Sequence, residues 1–213
     1  MAPQNLDLEE QEQLATLKGW WHDNGNFVLA LIAAVSLGIA AWQGWNWYQR
    51  NHAFQASALY ESLARGVRAG DAKAVRDASG TLAESYPRTL YAAMGTLTSA
   101  RFLADRGEAK NAKAQLEWVI ERATSADFRD LARLRLVALL LDEKAYDAAL
   151  KQLEAKPAGA YAAQFEAARG DVLFAKGEAS EAKAAYREAL NKAGTGNDAL
   201  RQSLQLRIDA LGG

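Results

Sequence analysis

Residues 177–190 read GEASEAKAAYREAL, and the spacing of their small and aromatic side chains decides the fold. Gly177 stands where a turn between two helices needs freedom in φ. Ala182 follows where two helices would touch, Tyr186 comes four residues on, and Ala189 is small again. Seven residues before Gly177, Gly170 offers the preceding helix a place of close approach. The same register can be laid on KAYDAALKQLEA (144–155), with Ala149 in the place of Ala182 and Tyr146 at the turn. It fits RGEAKNAKAQLEWV (106–119) through Gly107 and Ala112, and AGDAKAVRDASGTLAESYP (69–87) through Gly70, Val75 and the closing Pro87. The key positions 75, 112, 149 and 182 recur about every 35 residues, the period of a two-helix repeat. The fit is closest in the last repeat and degenerate in the other three.

This pattern resembles the second-helix half of a tetratricopeptide repeat. The resemblance implies an all-α chain whose helix pairs stack as an α-solenoid, each pair burying an apolar face on the next. An Ala-rich bundle with accidental spacing is the competing reading, since close helix packing needs Ala in either case. Amphipathic helices are predicted at 54–69, 72–85, 89–106, 109–123, 127–142, 145–155, 160–176, 179–192 and 198–210. They are separated by Gly70-Asp71, Pro87, Gly107-Glu108, Ser125–Asp127, Pro157–Gly159, Gly177-Glu178 and Gly194–Gly196. No run of alternating β-branched residues suggests a strand.

Upstream of the repeats, residues 27–48 read FVLALIAAVSLGIAAWQGWNWY without a charged side chain. At about 1.5 Å per residue such a helix spans roughly 33 Å, the thickness of a bilayer core. Trp20 and Trp21 precede it, and Trp42, Trp45, Trp47 and Tyr48 close it, which places ring edges at both headgroup zones. The reading is a transmembrane anchor in contact with membrane lipid, ahead of the alternative of a buried core helix. A cleaved signal peptide would want a basic leader, but Asp7, Glu9, Glu10, Glu12 and Asp23 face the single Lys18, so no cleavage is expected. Leu14, Leu17 and Trp21 give the leader a short amphipathic helix that Asn24-Gly25 is expected to break. Ala30, Ala34 and Gly38 form a stripe of small residues on which a neighbouring helix could pack.

The composition narrows the chemistry. Of 26 acids and 25 bases, 21 and 24 remain after Gln49, a net of about +3 that makes no nucleic-acid footprint. With no Cys there is no disulfide, thiolate metal site or Cys nucleophile. His22 and His52 flank the anchor on opposite sides and cannot share a metal or a catalytic pair. Metal-binding H-E-x-x-H, G-x-S-x-G and phosphate-loop motifs are absent, and Gly194-Thr-Gly196 reads as a loop. The expectation is a protein that is not an enzyme, with no cofactor, metal or small-molecule substrate.

An acidic leader, an anchor entered through WWHDNGNFVLA (20–30), the segment WNWYQRNHAFQASALYESL (45–63) behind it and a tail of helical repeats form one layout. Over essentially its full length the chain resembles the ancillary SecYEG translocon subunits of the bacterial inner membrane. The resemblance implies a cytoplasmic leader (1–24), an anchor (25–49) and a periplasmic tetratricopeptide-like domain (50–213). It also implies work beside the translocon with periplasmic chaperones, notably a membrane-anchored one of prolyl-isomerase type, or with emerging secretory proteins. The charges flanking the anchor, Lys18 before it and Arg50, Arg65 and Arg68 after it, taken alone favour the opposite orientation. A membrane-tethered scaffold that self-assembles by repeat stacking is the second reading. In this repeat class the first helix of each pair lines the inner face, which carries Tyr60, Arg101, Gln164, Asp171 and Phe174 there as candidates for binding a partner peptide.

Overall fold

The computed structural model describes residues 8–212, with side chains from Glu12 on; the leader up to Asp7 lies outside them. All regular elements among these residues are helical: α1 Leu8–Ala69, α2 Ala72–Ser85, α3 Leu90–Ala104, α4 Ala109–Arg122, α5 Ala126–Asp142, α6 Tyr146–Gln152, α7 Ala162–Lys176, α8 Ala179–Lys192 and α9 Asp198–Ala210, with a 3-10 turn at Gly159–Tyr161. The chain divides after Asn51 into two units.

The first unit holds most of α1, a helix long and apolar enough to cross a membrane. Leu29, Leu31, Ile32, Val35 and Leu37 are exposed along it, as on a helix that spans a membrane. The expected break at Asn24-Gly25 does not occur. Asn24 turns its amide back to donate to the Trp20 carbonyl at 3.1 Å, and Gly25 stays helical beneath the Trp21 ring. A glycine within a helix costs only about 1 kcal/mol, too little to end one of 62 residues.

The second unit is built on four near-identical turns. Gly70, Gly107, Lys144 and Gly177 all have positive φ, from 58° to 94°. At each turn the next residue donates its N–H to a carbonyl five residues back: Asp71 to Gly66, Glu108 to Leu103, Ala145 to Leu140 and Glu178 to Leu173. This is the left-handed Schellman closure of a helix. Five residues after each turn, Val75, Ala112, Ala149 and Ala182 are wholly buried, as the register requires. The third turn corrects the sequence reading, which set Tyr146 there. Lys144 takes the left-handed position, and Tyr146 opens α6 and packs beside Val137 and Leu153. A side chain in that conformation costs about 1–2 kcal/mol, part of which glycine returns as unfolded-state entropy. Lys144→Gly is therefore expected to stabilise the protein by about 0.5–1 kcal/mol, read as a higher thermal midpoint; a lower one would contradict the strain.

Each turn joins a first helix to a second: the end of α1 to α2, α3 to α4, α5 to α6, and α7 to α8, with α9 covering the last pair. The first helices α3, α5 and α7 also touch one another in order, as stacked pairs must. Arg76 to Glu108 (2.5 Å) and Lys113 to Glu143 (2.6 Å) tie the residue after a key position to the following turn, and Lys183 donates to the Gly212 carbonyl in the same way. Exposed pairs of this kind add little stability, but they mark the register. Arg129, Arg169 and Arg201 each donate to the last carbonyls of the preceding second helix, at Ala123, Leu153 and Ala193.

The third pair departs from the rest. Helix α6 stops at Gln152, short of the expected 155: Pro157 has no N–H to offer the Leu153 carbonyl, which accepts from Arg169 instead. The loop that follows is held by Asp130 of α5, which accepts the Ala158 N–H at 2.6 Å and Arg133 at 3.1 Å while only 3% exposed.

Candidate interaction surface

The residues three, six and nine places before each turn form one stripe along each first helix. On α5 these are Arg135, Ala138 and Leu141; on α7 they are Ala168, Asp171 and Phe174; Arg101 and Ala104 continue the stripe on α3. They line a run of cavities. Arg101, Ala104, Arg135 and Ala138 surround one of about 280 Å³, with Leu116 and Leu139 in its wall. Ala138 also borders a second of similar size, between α5, α7 and α9, lined by Leu141, Gln164, Asp171 and Arg207 among others. Leu141, Asp171 and Arg207 continue into a third of about 340 Å³, where Phe174 and Tyr186 stand.

Four of the five residues expected on this face are thus brought to adjoining cavities: Arg101, Gln164, Asp171 and Phe174. Their states differ. Phe174 is 56% exposed. Asp171 is already engaged, accepting the Tyr186 hydroxyl at 2.8 Å and Arg207 Nη1 at 2.5 Å. The Arg207 guanidinium also lies over the Tyr186 ring, 5.6 Å from its centre. Burial, then the Asp171 carboxylate, push the Tyr186 hydroxyl well above the usual phenol range, so it stays a neutral donor. The oxygen Oε1 of Gln164 is buried without a hydrogen-bond partner.

Tyr60 is placed elsewhere. It falls ten residues before its turn, where its counterparts Leu97 and Ala167 are buried, and its half-buried ring packs beside Gly95 and the Tyr91 ring, 6.0 Å away. Arg135 is the residue the sequence reading passed over. It is half-buried, donates to the Leu97 carbonyl at 3.1 Å, and is held below the usual guanidinium range by burial first and the Arg101 charge second. Carrying the register onto the third first helix as well as the others points to it. Arg207 carries no such signal, because α9 lies beyond the last turn.

Gly170 lies against the Tyr186 ring so closely that a Cβ there would sit 2.4 Å from it, and Ala182 and Ala189 are wholly buried around the same ring's helix. Ala30, Ala34 and Gly38 are exposed, and nothing in the first unit packs on Gly38.

The sequence matches the tetratricopeptide repeat-like domain family over residues 18–213. It is 32% identical over 209 residues to the ancillary SecYEG translocon subunit of Neisseria gonorrhoeae, covering 96% of this chain and 98% of that one. The chain belongs to the ancillary SecYEG translocon subunit family. The Escherichia coli protein of the same name is 29% identical over 208 residues, covering 95% of this chain and 96% of its own. Among solved structures, MamA from Desulfovibrio magneticus RS-1, from residue 41 to its end, superposes with a TM-score of 0.50 at 18% identity. It covers 74% of this chain and 93% of its own, a likeness of fold alone. The family match begins at Lys18, ahead of the charge-free stretch, so the apolar helix and the repeats fall within one family domain.

Proposed function

We propose that this protein is a non-enzymatic ancillary subunit of the Sec translocon. The observation that carries the reading is the end-to-end match to proteins bearing that name. In this reading residues 1–24 are a cytoplasmic leader, 25–49 the membrane anchor, and 50–213 a periplasmic repeat domain. The orientation follows the family layout over the flanking charges, because long domains cross largely regardless of charge. The stripe through Arg101, Asp171 and Phe174, with Gln164 beside it, is the surface offered to chaperones, among them a membrane-anchored one of prolyl-isomerase type, or to emerging secretory proteins. The packed Tyr60 supports that surface from behind α3. The Ala30–Ala34–Gly38 stripe is a second contact, open to a neighbouring transmembrane helix.

Purification of the tagged full-length chain from mild detergent tests the reading. SecY and SecE are expected to copurify in stable proportion. Recovery of this chain alone, or only of further copies of it, would replace the translocon role with self-assembly.

A further inference from the structure

We propose that the outer edge of α1 in the repeat unit seats an amphipathic helix of a partner protein, acidic in its first turns and apolar toward its end. Sixteen places before each turn stands an aromatic residue: Phe54, Tyr91, Phe128 and Tyr161. Tyr91, Phe128 and Tyr161 are half-buried against the cores of their pairs, whereas Phe54 is 73% exposed. Twelve places before each turn stand Ala58, Gly95, Ala132 and Phe165, and five before it Arg65, Phe102, Leu139 and Val172. In α3, α5 and α7 these positions are buried or half-buried; in α1 both are exposed. The second helix of the preceding pair is what covers them. A Cβ on Gly95 would sit 2.6 Å from Leu82 of α2, Ala132 clusters with Leu116 and Val119 of α4, and Phe165 clusters with Ala149 of α6. In the first pair the same face of α1 carries no such helix among the described residues.

The chemistry of this face selects the occupant. Phe54 with Ala58 sets an aromatic ring beside a small residue, the combination that Tyr91 with Gly95 and Phe128 with Ala132 present to a covering helix. Arg65 stands where the other first helices carry an apolar side chain, and among the described residues no carboxylate oxygen comes within 4.0 Å of it. A second helix runs from the turn end of the repeat toward the loop end, antiparallel to the first helix that follows it. The occupant's first turns therefore lie beside Arg65 and its last beside Phe54. Acidic residues in those first turns answer Arg65 and suit the positive end of the occupant's own helix dipole. A second copy fits poorly, because copies inserted alike in one membrane run parallel, and a symmetric α1–α1 contact would set Arg65 against Arg65. A bilayer surface fits no better: Arg65 lies eleven residues beyond Phe54, about 16 Å along the helix. The edge is distinct from the inner stripe, whose place on α1 is taken by Glu61, and the inference goes beyond the translocon reading without needing it.

The test uses the full-length protein in detergent and two fluorescent helical peptides of the length of α4, 14 residues, each with Ala and Leu along one face. One carries Glu in its first two turns and the other Lys. The Glu peptide is expected to bind about tenfold tighter than the Lys peptide. Phe54→Ser should weaken its binding by about tenfold, and Arg65→Glu should turn the preference toward the Lys peptide. Both side chains are exposed, so both variants should melt as the parent does. Equal binding of the two peptides, or binding that Phe54→Ser leaves unchanged, would overturn the proposal. So would loss of Glu-peptide binding on Arg101→Gln, which would place the peptide on the inner face. A dimer in mass photometry that Phe54→Ser dissolves would give the edge to a second copy. Loss of peptide binding on transfer to phosphatidylglycerol nanodiscs would give it to lipid. Either result would overturn the proposal.

Discussion

Gly170→Ala is expected to destabilise the repeat unit by about 3 kcal/mol, the upper end of the range for overpacking a closed contact. The new methyl carbon would sit 2.4 Å from one edge atom of the Tyr186 ring and 2.5 Å from its neighbour. The ring cannot swing clear, because its hydroxyl is tied to Asp171 and its face lies under Arg207. The other repeats show how the space is shared. At the same two register positions stand Leu63 with Ser79, Ala100 with Leu116, and Val137 with Leu153, all buried. The smallest first-helix residue faces the largest second-helix one, as a close-packed interior demands. The double variant Gly170→Ala with Tyr186→Leu rebuilds the Ala100–Leu116 combination and should be less destabilised than the two single effects added together. Chemical denaturation followed by circular dichroism on the full-length protein reads all three. Strict additivity would mean that the two positions do not share the contact.

Asp130→Ala should cost about 3–5 kcal/mol, the scale for removing one partner of a buried charged pair. The carboxylate is the only one among the described residues classed with the buried core. It serves two groups at once, the Ala158 N–H that anchors the loop after α6 and the Arg133 guanidinium on its own helix. Without it the N–H loses its acceptor and Arg133 its countercharge. Asp130→Asn keeps an acceptor of the same shape and should lose less than half as much. A melt in which Asn and Ala variants fall together would show that charge alone matters; one in which neither moves would show that the loop is held by Arg169 instead.

Much of this was legible in the residues. The long apolar helix follows from a charge-free window as long as a bilayer core is thick, a property of composition that no tertiary contact alters. The helix bounds from 72 to 210 follow from glycines and prolines, which act on the backbone locally, and most fall within two residues of expectation. The repeat register was readable because Ala112, Ala149 and Ala182 must be small wherever paired helices touch. Lys144 was not readable, because a lysine gives no sign that its backbone is left-handed; three neighbouring repeats impose it. Nor was the continuity of α1 through Asn24-Gly25, where the Asn amide and the Trp21 ring satisfy the helix in place of a turn.

The candidate surface divides in the same way. Arg101, Asp171 and Phe174 could be placed on one face from the resemblance and its period together, since positions three and six before a turn recur on every first helix. Which of them stays available is a tertiary matter. Asp171 is engaged by a residue 36 positions away on α9, a distance along the chain that no local pattern spans. Arg135 becomes part of the surface only because stacking sets α5 beside α3, leaving its charge half-buried next to Arg101 without a carboxylate. Sequence period determines which side a residue faces, through the geometry of one helix. Packing between pairs decides whether its charge is answered, because that depends on neighbours the helix does not choose.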